Sequence, residues 1–217
     1  MQKNQIDKTI AFVKETLKDA EGGHDWFHIE RVYKNALLIA EKEEVDLFVV
    51  SLGALLHDIA DSKFHHGDEK MGPKIAREFL LKENVDSKSI AHVVHIIENI
   101  SYSSSLLTNK LFTSPELHVV QDADRLDALG AIGIARTFNY GGFKNRALYN
   151  PNIAPNHNMS QEEYKTSTAP TINHFYEKLL LLKDKMNTKT GKEIALKRHE
   201  FMEAFLEQFN AECEGLK

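Results

Sequence analysis

An all-α fold is what this sequence predicts, and three observations predict it. Apolar residues recur at spacings of three and four along most of the 217 residues. No window shows sustained apolar–polar alternation between hairpin turns, and no fixed-period repeat is present. Three of the five prolines, Pro73, Pro115 and Pro170, stand where helices could begin, a position that tolerates a missing N–H and a fixed φ.

Taken in order, Ile6, Ile10, Val13 and Leu17 share one face of a first helix that ends near Gly22 and Gly23. Asp25 can cap a second helix over residues 26–41, with Val32, Ala36 and Ile39 inward and Glu30, Arg31, Lys34 and Asn35 at polar positions. A third, residues 46–60, is apolar nearly all round, which places it at the centre of a domain; His57, Asp58 and Asp61 lie at its end. Helices are expected to start near Pro73, Pro115 and Pro170, and Asp86 or Ser87 can cap one over residues 88–100. Residues 123–140 read as a single helix terminated by Gly141 and Gly142, and the last two helices cover 170–186 and 192–213. Residues 141–168 form a long polar stretch with Pro151 and Pro155, the kind of loop that in a compact domain is usually functional or disordered; it is a candidate lid.

Composition narrows the function. Lys and Arg number 27 against 32 Asp and Glu, a net charge of −5, which disfavours nucleic acid as the main partner. A single cysteine, Cys213, cannot close an intrachain disulfide, and the N-terminal stretch lacks a signal-peptide apolar core, so a cytoplasmic location is expected. The most apolar run, residues 47–56, is too short to span a bilayer, and no membrane association is expected.

Eleven histidines invite a search for metal ligands, and only constellations carry weight, because a lone His is usually a surface or satisfied core residue. His57 and Asp58 end the most apolar helix, where burying an imidazole and an acid costs free energy unless they are paired or bound to a cation. Asp61 follows within a turn. His28 adds an imidazole from another helix, and residues 119–127 (VVQDADRLD) add Asp122, Asp124 and Asp127, with Asp124 expected to face inward beside Leu126, Leu129 and Ile132. Imidazoles and carboxylates without a thiolate suit Mn, Fe, Co, Ni or Zn better than Ca, and a few protein ligands leave room for water and substrate.

The pattern His28, His57-Asp58, Asp124, carried by HDWFHIERV (24–32), GALLHDIAD (53–61) and DADRLDALGAIGIARTF (122–138), resembles the HD-domain metal-dependent phosphohydrolase superfamily. It is most similar to a small bacterial subgroup that includes nucleotide pyrophosphohydrolases, and the likeness extends through HFYEKLLLLKDKMNT (174–188). The resemblance implies a single all-helical HD-type domain over residues 1–217, with a core of about 20–190, the 191–213 helix packed on it and the lid after the Asp124 helix. It implies that His28, His57, Asp58 and Asp124 bind one divalent cation (Mn, Mg, Co, Ni, Fe or Zn). It also implies that Asp61 orients or deprotonates water, at a position where many relatives carry Glu. The substrate implied is a phosphorylated small molecule, a nucleotide first. Triphosphate cleavage to monophosphate and pyrophosphate leads, monophosphate phosphatase activity is the alternative, and an inert metal-dependent nucleotide sensor is the alternative of another class.

Other residues are candidates for substrate contact. His24 and His28 at i,i+4 could chelate together, but Asp25 as the cap leaves His24 outside the helix, which suggests support of the ligands or a substrate contact. His92 and His95 could contact phosphate or line a helix interface, whereas His65 and His66 read as a solvated turn. Arg31, Lys63, Arg125 and Asp127 lie close in sequence to the ligands, and Lys144 with Arg146 could close over phosphates from the lid. Residues 179–182 with Phe201, Phe205 and Phe209 read as core or as a subunit interface, the basis for expecting a homo-oligomer.

Overall fold

Several helices begin at a side chain that accepts from otherwise unpaired N–H groups, Asp25, Asp46, Asp86 and Thr188 among them. The computed structural model describes residues 1–20, 23–60, 70–100, 112–160, 163 and 166–217, and no strand occurs among them. They fall into two compact units, Met1–Asp124 and Arg125–Lys217.

In the first unit, α1 (Gln2–Thr16) buries Gln5, Thr9 and Val13, with Ile6 and Ile10 only partly covered. Its inner face is therefore rotated from the one the isoleucines suggested. The reason is polar: Gln5 Nε2 donates to the carbonyls of Glu83 and Asn84 at 3.1 and 3.2 Å, and Thr9 Oγ1 donates to the Gln5 carbonyl. Next comes α2 (Trp26–Ala40), capped as expected by Asp25, whose carboxylate accepts from His28 N at 3.0 Å. Asn35, expected among the polar positions, is instead buried and donates to the Ala123 carbonyl at 3.4 Å.

Asp46 caps α3 (Leu47–Leu56) by accepting from Phe48 N and Val49 N, and every α3 residue but the first is buried, as an all-round apolar helix must be. The regular helix is shorter than predicted and stops with His57 in the C-cap position. Helix α4 (Met71–Lys82) carries Pro73 in its first turn, and α5 (Ser87–Asn99) is capped by Asp86. Helices α1, α2 and α5 pack against α3, and α4 packs on α5. Helix α6 (Pro115–Asp127) starts at the predicted proline.

The single helix expected over 123–140 is two. Leu129 is extended and Gly130 adopts φ +69°, a left-handed conformation that side-chain-bearing residues rarely take, so α6 stops at Asp127 and α7 (Gly130–Phe143) starts afresh. Gly141 and Gly142 do not terminate α7; they lie inside it, and Gly141 is required because a Cβ there would run into the Thr171 side chain. The helix expected over 170–186 is also broken: α8 (Asn173–Glu177) gives way at Lys178, with φ −142°, to a 3₁₀ helix, Leu179–Lys185. Thr188 caps α9 (Lys189–Cys213), which begins a few residues earlier than predicted.

In this second unit α9 packs against α7 and the 3₁₀ helix. Phe205 and Phe209 join Phe138 and Phe175 in an aromatic cluster with ring separations of 5.8–6.2 Å, while Phe201 is exposed. Described parts of the polar stretch after α7 are anchored: Thr171 N donates to the Ala147 carbonyl, Arg146 to that of Ser167 and Asn173 Nδ2 to that of Ile153. No helix among the described residues is long and apolar enough to cross a membrane.

Candidate metal centre

Two helix ends meet at one cluster. His28 sits one turn into α2, its position set by the Asp25 cap, and is almost wholly buried. His57 and Asp58 follow the last turn of α3, the helix held on all sides by the core. Ligand atoms of His28, His57 and Asp58 lie within 4.8 Å of one another. Asp124, near the end of α6, brings Oδ1 to 3.6 Å from His28 Nε2 and 3.8 Å from His57 Nε2. The four residues that the family pattern singles out therefore converge, although they come from three helices. The imidazoles of His28 and His57 meet edge to face with centroids 5.4 Å apart.

The protonation of His57 follows from its neighbour. Nδ1 lies 2.9 Å from the Ala54 carbonyl, which can only accept, so Nδ1 carries a proton and Nε2 is the nitrogen that faces Asp124. A metal-binding histidine usually makes such a bond with its other nitrogen. Burial by itself would raise the Asp58 carboxyl, but the hydrogen bond with His24 and the nearby imidazoles of His57, His24 and His28 outweigh it and hold the group below the usual carboxylate range. A carboxylate held below its usual range beside two imidazoles, one of them with its Nδ1–H bound to a carbonyl, is a donor set that fits a borderline divalent cation. Asp124 was expected to point inward with Leu126, Leu129 and Ile132. Leu126 and Leu129 are buried, whereas the Asp124 side chain is 41% exposed, against 3–4% for His28 and His57. The cluster is thus closed by the histidines and open to solvent at Asp124.

His24 lies outside α2, as the Asp25 cap predicts, with Nδ1 2.6 Å from Asp58 Oδ2. Arg31 is a partly covered residue of α2. Asp61 and Lys63, together with His65 and His66, lie outside the described residues. The structure pairs His92 with the Ser114 hydroxyl at 2.9 Å and the Glu116 carboxylate at 3.4 Å, and His95 with Glu98 at 3.1 Å; both rings contact Phe112. In the second unit Arg125 donates to the Lys185 carbonyl, Asp127 is buried in an ion pair with Arg136 at 2.6 Å, and Lys144 and Arg146 rest over Tyr140, with Lys144 also over Phe143.

The residues that sequence reasoning missed hold helices rather than ligands. Glu116 accepts from Asp46 N at 3.0 Å and so ties the start of α6 to the start of α3, while Asn35 ties α2 to the carbonyl beside Asp124. A Glu just after a helix-starting proline, and an Asn two turns from His28 on one face, were the available signals.

Residues 26–129 match the HD domain family. The chain is 38% identical over 216 residues to YpgQ of Bacillus subtilis, covering 98% of this chain and 95% of that protein. Among solved structures, an HD-superfamily hydrolase of Bacillus thuringiensis is 44% identical with a TM-score of 0.78, covering 99% of each chain. The structure of Bacillus subtilis YpgQ in complex with ADP is 36% identical with a TM-score of 0.76, covering 97% of this chain and 96% of that one.

Proposed function

The chain belongs to the HD superfamily of metal-dependent phosphohydrolases, and from that premise we propose that its substrates are nucleotides, cleaved from triphosphate to monophosphate and pyrophosphate. One observation carries the reading: His28, His57, Asp58 and Asp124 converge, with the His57 Nδ1–H given to the Ala54 carbonyl. That YpgQ has been crystallised with ADP supports a nucleotide over other phosphoesters.

His28, His57, Asp58 and Asp124 would hold a divalent cation, manganese first, which would lower the pKa of water and offset charge on a phosphoryl oxygen. The protein's own part is to hold that charge in place. His57 keeps Nε2 available by donating Nδ1–H to the Ala54 carbonyl, and Asp25 fixes His28 through its backbone N–H. Asp124 marks the solvent side, where an anionic substrate can approach. Asp61, in this reading, accepts the proton of the attacking water. Lys144 and Arg146 are, in this reading, residues that bind phosphate.

Metal-stripped protein reconstituted separately with Mn, Mg, Co, Ni or Zn and offered a nucleotide panel in ¹⁸O-labelled water tests this. Label in the nucleoside monophosphate, with pyrophosphate as the other product, is expected. Label in inorganic phosphate alone, or monophosphates consumed faster than triphosphates, would replace the reading with a phosphatase; metal bound with no turnover of any nucleotide would leave a sensor.

A further inference from the structure

We infer that His24 is a positioning residue for the metal: its imidazole fixes the carboxylate plane of Asp58 and is not itself a ligand. The inference rests on the reading that His28, His57, Asp58 and Asp124 hold a cation.

The geometry begins with the backbone. Gly23 has φ +135°, a conformation that L side chains rarely adopt, and Asp25 is extended as the helix cap. His24 lies between them, before the first helical residue, so it does not share the helical repeat that would set it one turn from His28 on the same face. The kinked approach sends its ring across to Asp58, 34 residues away, where Nδ1 lies 2.6 Å from Oδ2. At that distance a nitrogen lone pair would face an oxygen lone pair unless Nδ1 carries the proton, so the imidazole donates and the carboxylate accepts. Nδ1 is therefore engaged by Asp58, and the ligand atoms that lie within 4.8 Å of one another are those of His28, His57 and Asp58, without His24.

Asp58 can rotate its carboxylate about Cβ–Cγ, and in a free side chain that torsion is broad. A short, charge-assisted hydrogen bond to one oxygen removes this freedom. Both partners are largely covered, with side-chain exposures of 26% for His24 and 18% for Asp58, so water competes weakly for the bond. His28 stands edge to face to both other rings, 6.0 Å from His24 and 5.4 Å from His57. His24 reaches the cluster through the Asp58 carboxylate.

The test is metal affinity, measured on the full chain without substrate. His24→Ala is expected to weaken Mn or Co binding by about 10- to 100-fold, the usual cost of losing such an outer partner. His24→Asn places an amide N–H near the lost Nδ1 and is expected to recover most of that affinity. His24→Gln carries its amide further out and is expected to bind like His24→Ala, so the Asn and Gln variants can be compared even if the Ala variant does not fold. At saturation the visible spectrum of the Co form should be unchanged in all three, since no ligand is removed. Wild-type affinity in His24→Gln would overturn the inference. So would equal losses in Asn and Gln, or an altered Co spectrum, which would make the imidazole a ligand. Because no nucleotide enters the measurement, failure of this pattern leaves triphosphate hydrolysis standing, and absence of hydrolysis leaves the pattern standing.

Discussion

Acid should weaken the Arg125–Lys217 unit through one histidine, His174. Burial, reinforced by the cations of Lys178 and Arg146, lowers its pKa from 6.5 to about 4. A lowered folded-state pKa means that the unfolded chain binds the proton first as pH falls. The stabilisation is therefore complete above about 6.5 and is lost between about 6.5 and 4. At about 1.4 kcal/mol per pH unit, the loss is about 2 kcal/mol by pH 5 and about 3 kcal/mol by pH 4. Replacing His174 with Gln removes the titration but not the neighbouring cations. Urea unfolding of metal-free wild type and His174→Gln, followed by far-ultraviolet circular dichroism from about pH 7.5 to 4.5, isolates the effect. Every other titrating group is common to both proteins and cancels in the difference. The wild type should lose ground against the variant as pH falls. A difference that stays constant with pH would mean that the His174 imidazole is solvated or already charged, and the reasoning from burial would fail.

Four further outcomes are expected. His57→Ala or Asp58→Ala should abolish metal binding in folded protein, and unchanged stoichiometry by elemental analysis would place the centre elsewhere. Arg136→Met should cost about 3 kcal/mol by urea unfolding because it leaves the buried Asp127 carboxylate short of a cation; the nearby Arg198 keeps the figure at the low end of the range for broken buried pairs. Gly141→Ala should lower the thermal midpoint, since its Cβ meets Thr171, and Thr171→Gly in the same chain should restore part of the loss. Neutralising Lys144 and Arg146 together should raise KM for triphosphates more than for uncharged phosphodiester analogues, and equal effects on both would remove phosphate from the role of these two residues.

The candidate metal cluster was legible because ionisable residues in an otherwise apolar setting need a reason to be there: His57 and Asp58 after the apolar α3 mark it in the sequence alone. The caps Asp25 and Asp86 were legible for a similar reason, since they satisfy local N–H groups close in sequence, whereas Asp46 reads as the first helical residue and is in fact the α3 cap. What escaped reading depends on partners distant along the chain. Gly130 looks like any glycine in a helical run until its positive φ divides α6 from α7, and Gly141 looks like a helix terminator until Thr171 crosses it. His92 reads in sequence as a phosphate contact or a helix-interface residue, and its partners Ser114 and Glu116 arrive from the start of another helix. Exposure is equally non-local: nothing in VVQDADRLD distinguishes the half-open Asp124 from the buried Asp122 and Asp127.

The meeting of α2 and α3 at this cluster has an electrical consequence. Peptide dipoles leave partial positive charge at the start of a helix and partial negative charge at its end. His28 lies in the opening turn of α2 and His57 at the close of α3, so fields of opposite sign converge on two rings whose centroids are 5.4 Å apart. For a lone cation the two contributions, each about 0.3–1 kcal/mol, oppose one another. For a cation accompanied by an anion they add, one drawn to each helix end, so the backbone favours a charge pair over either charge alone.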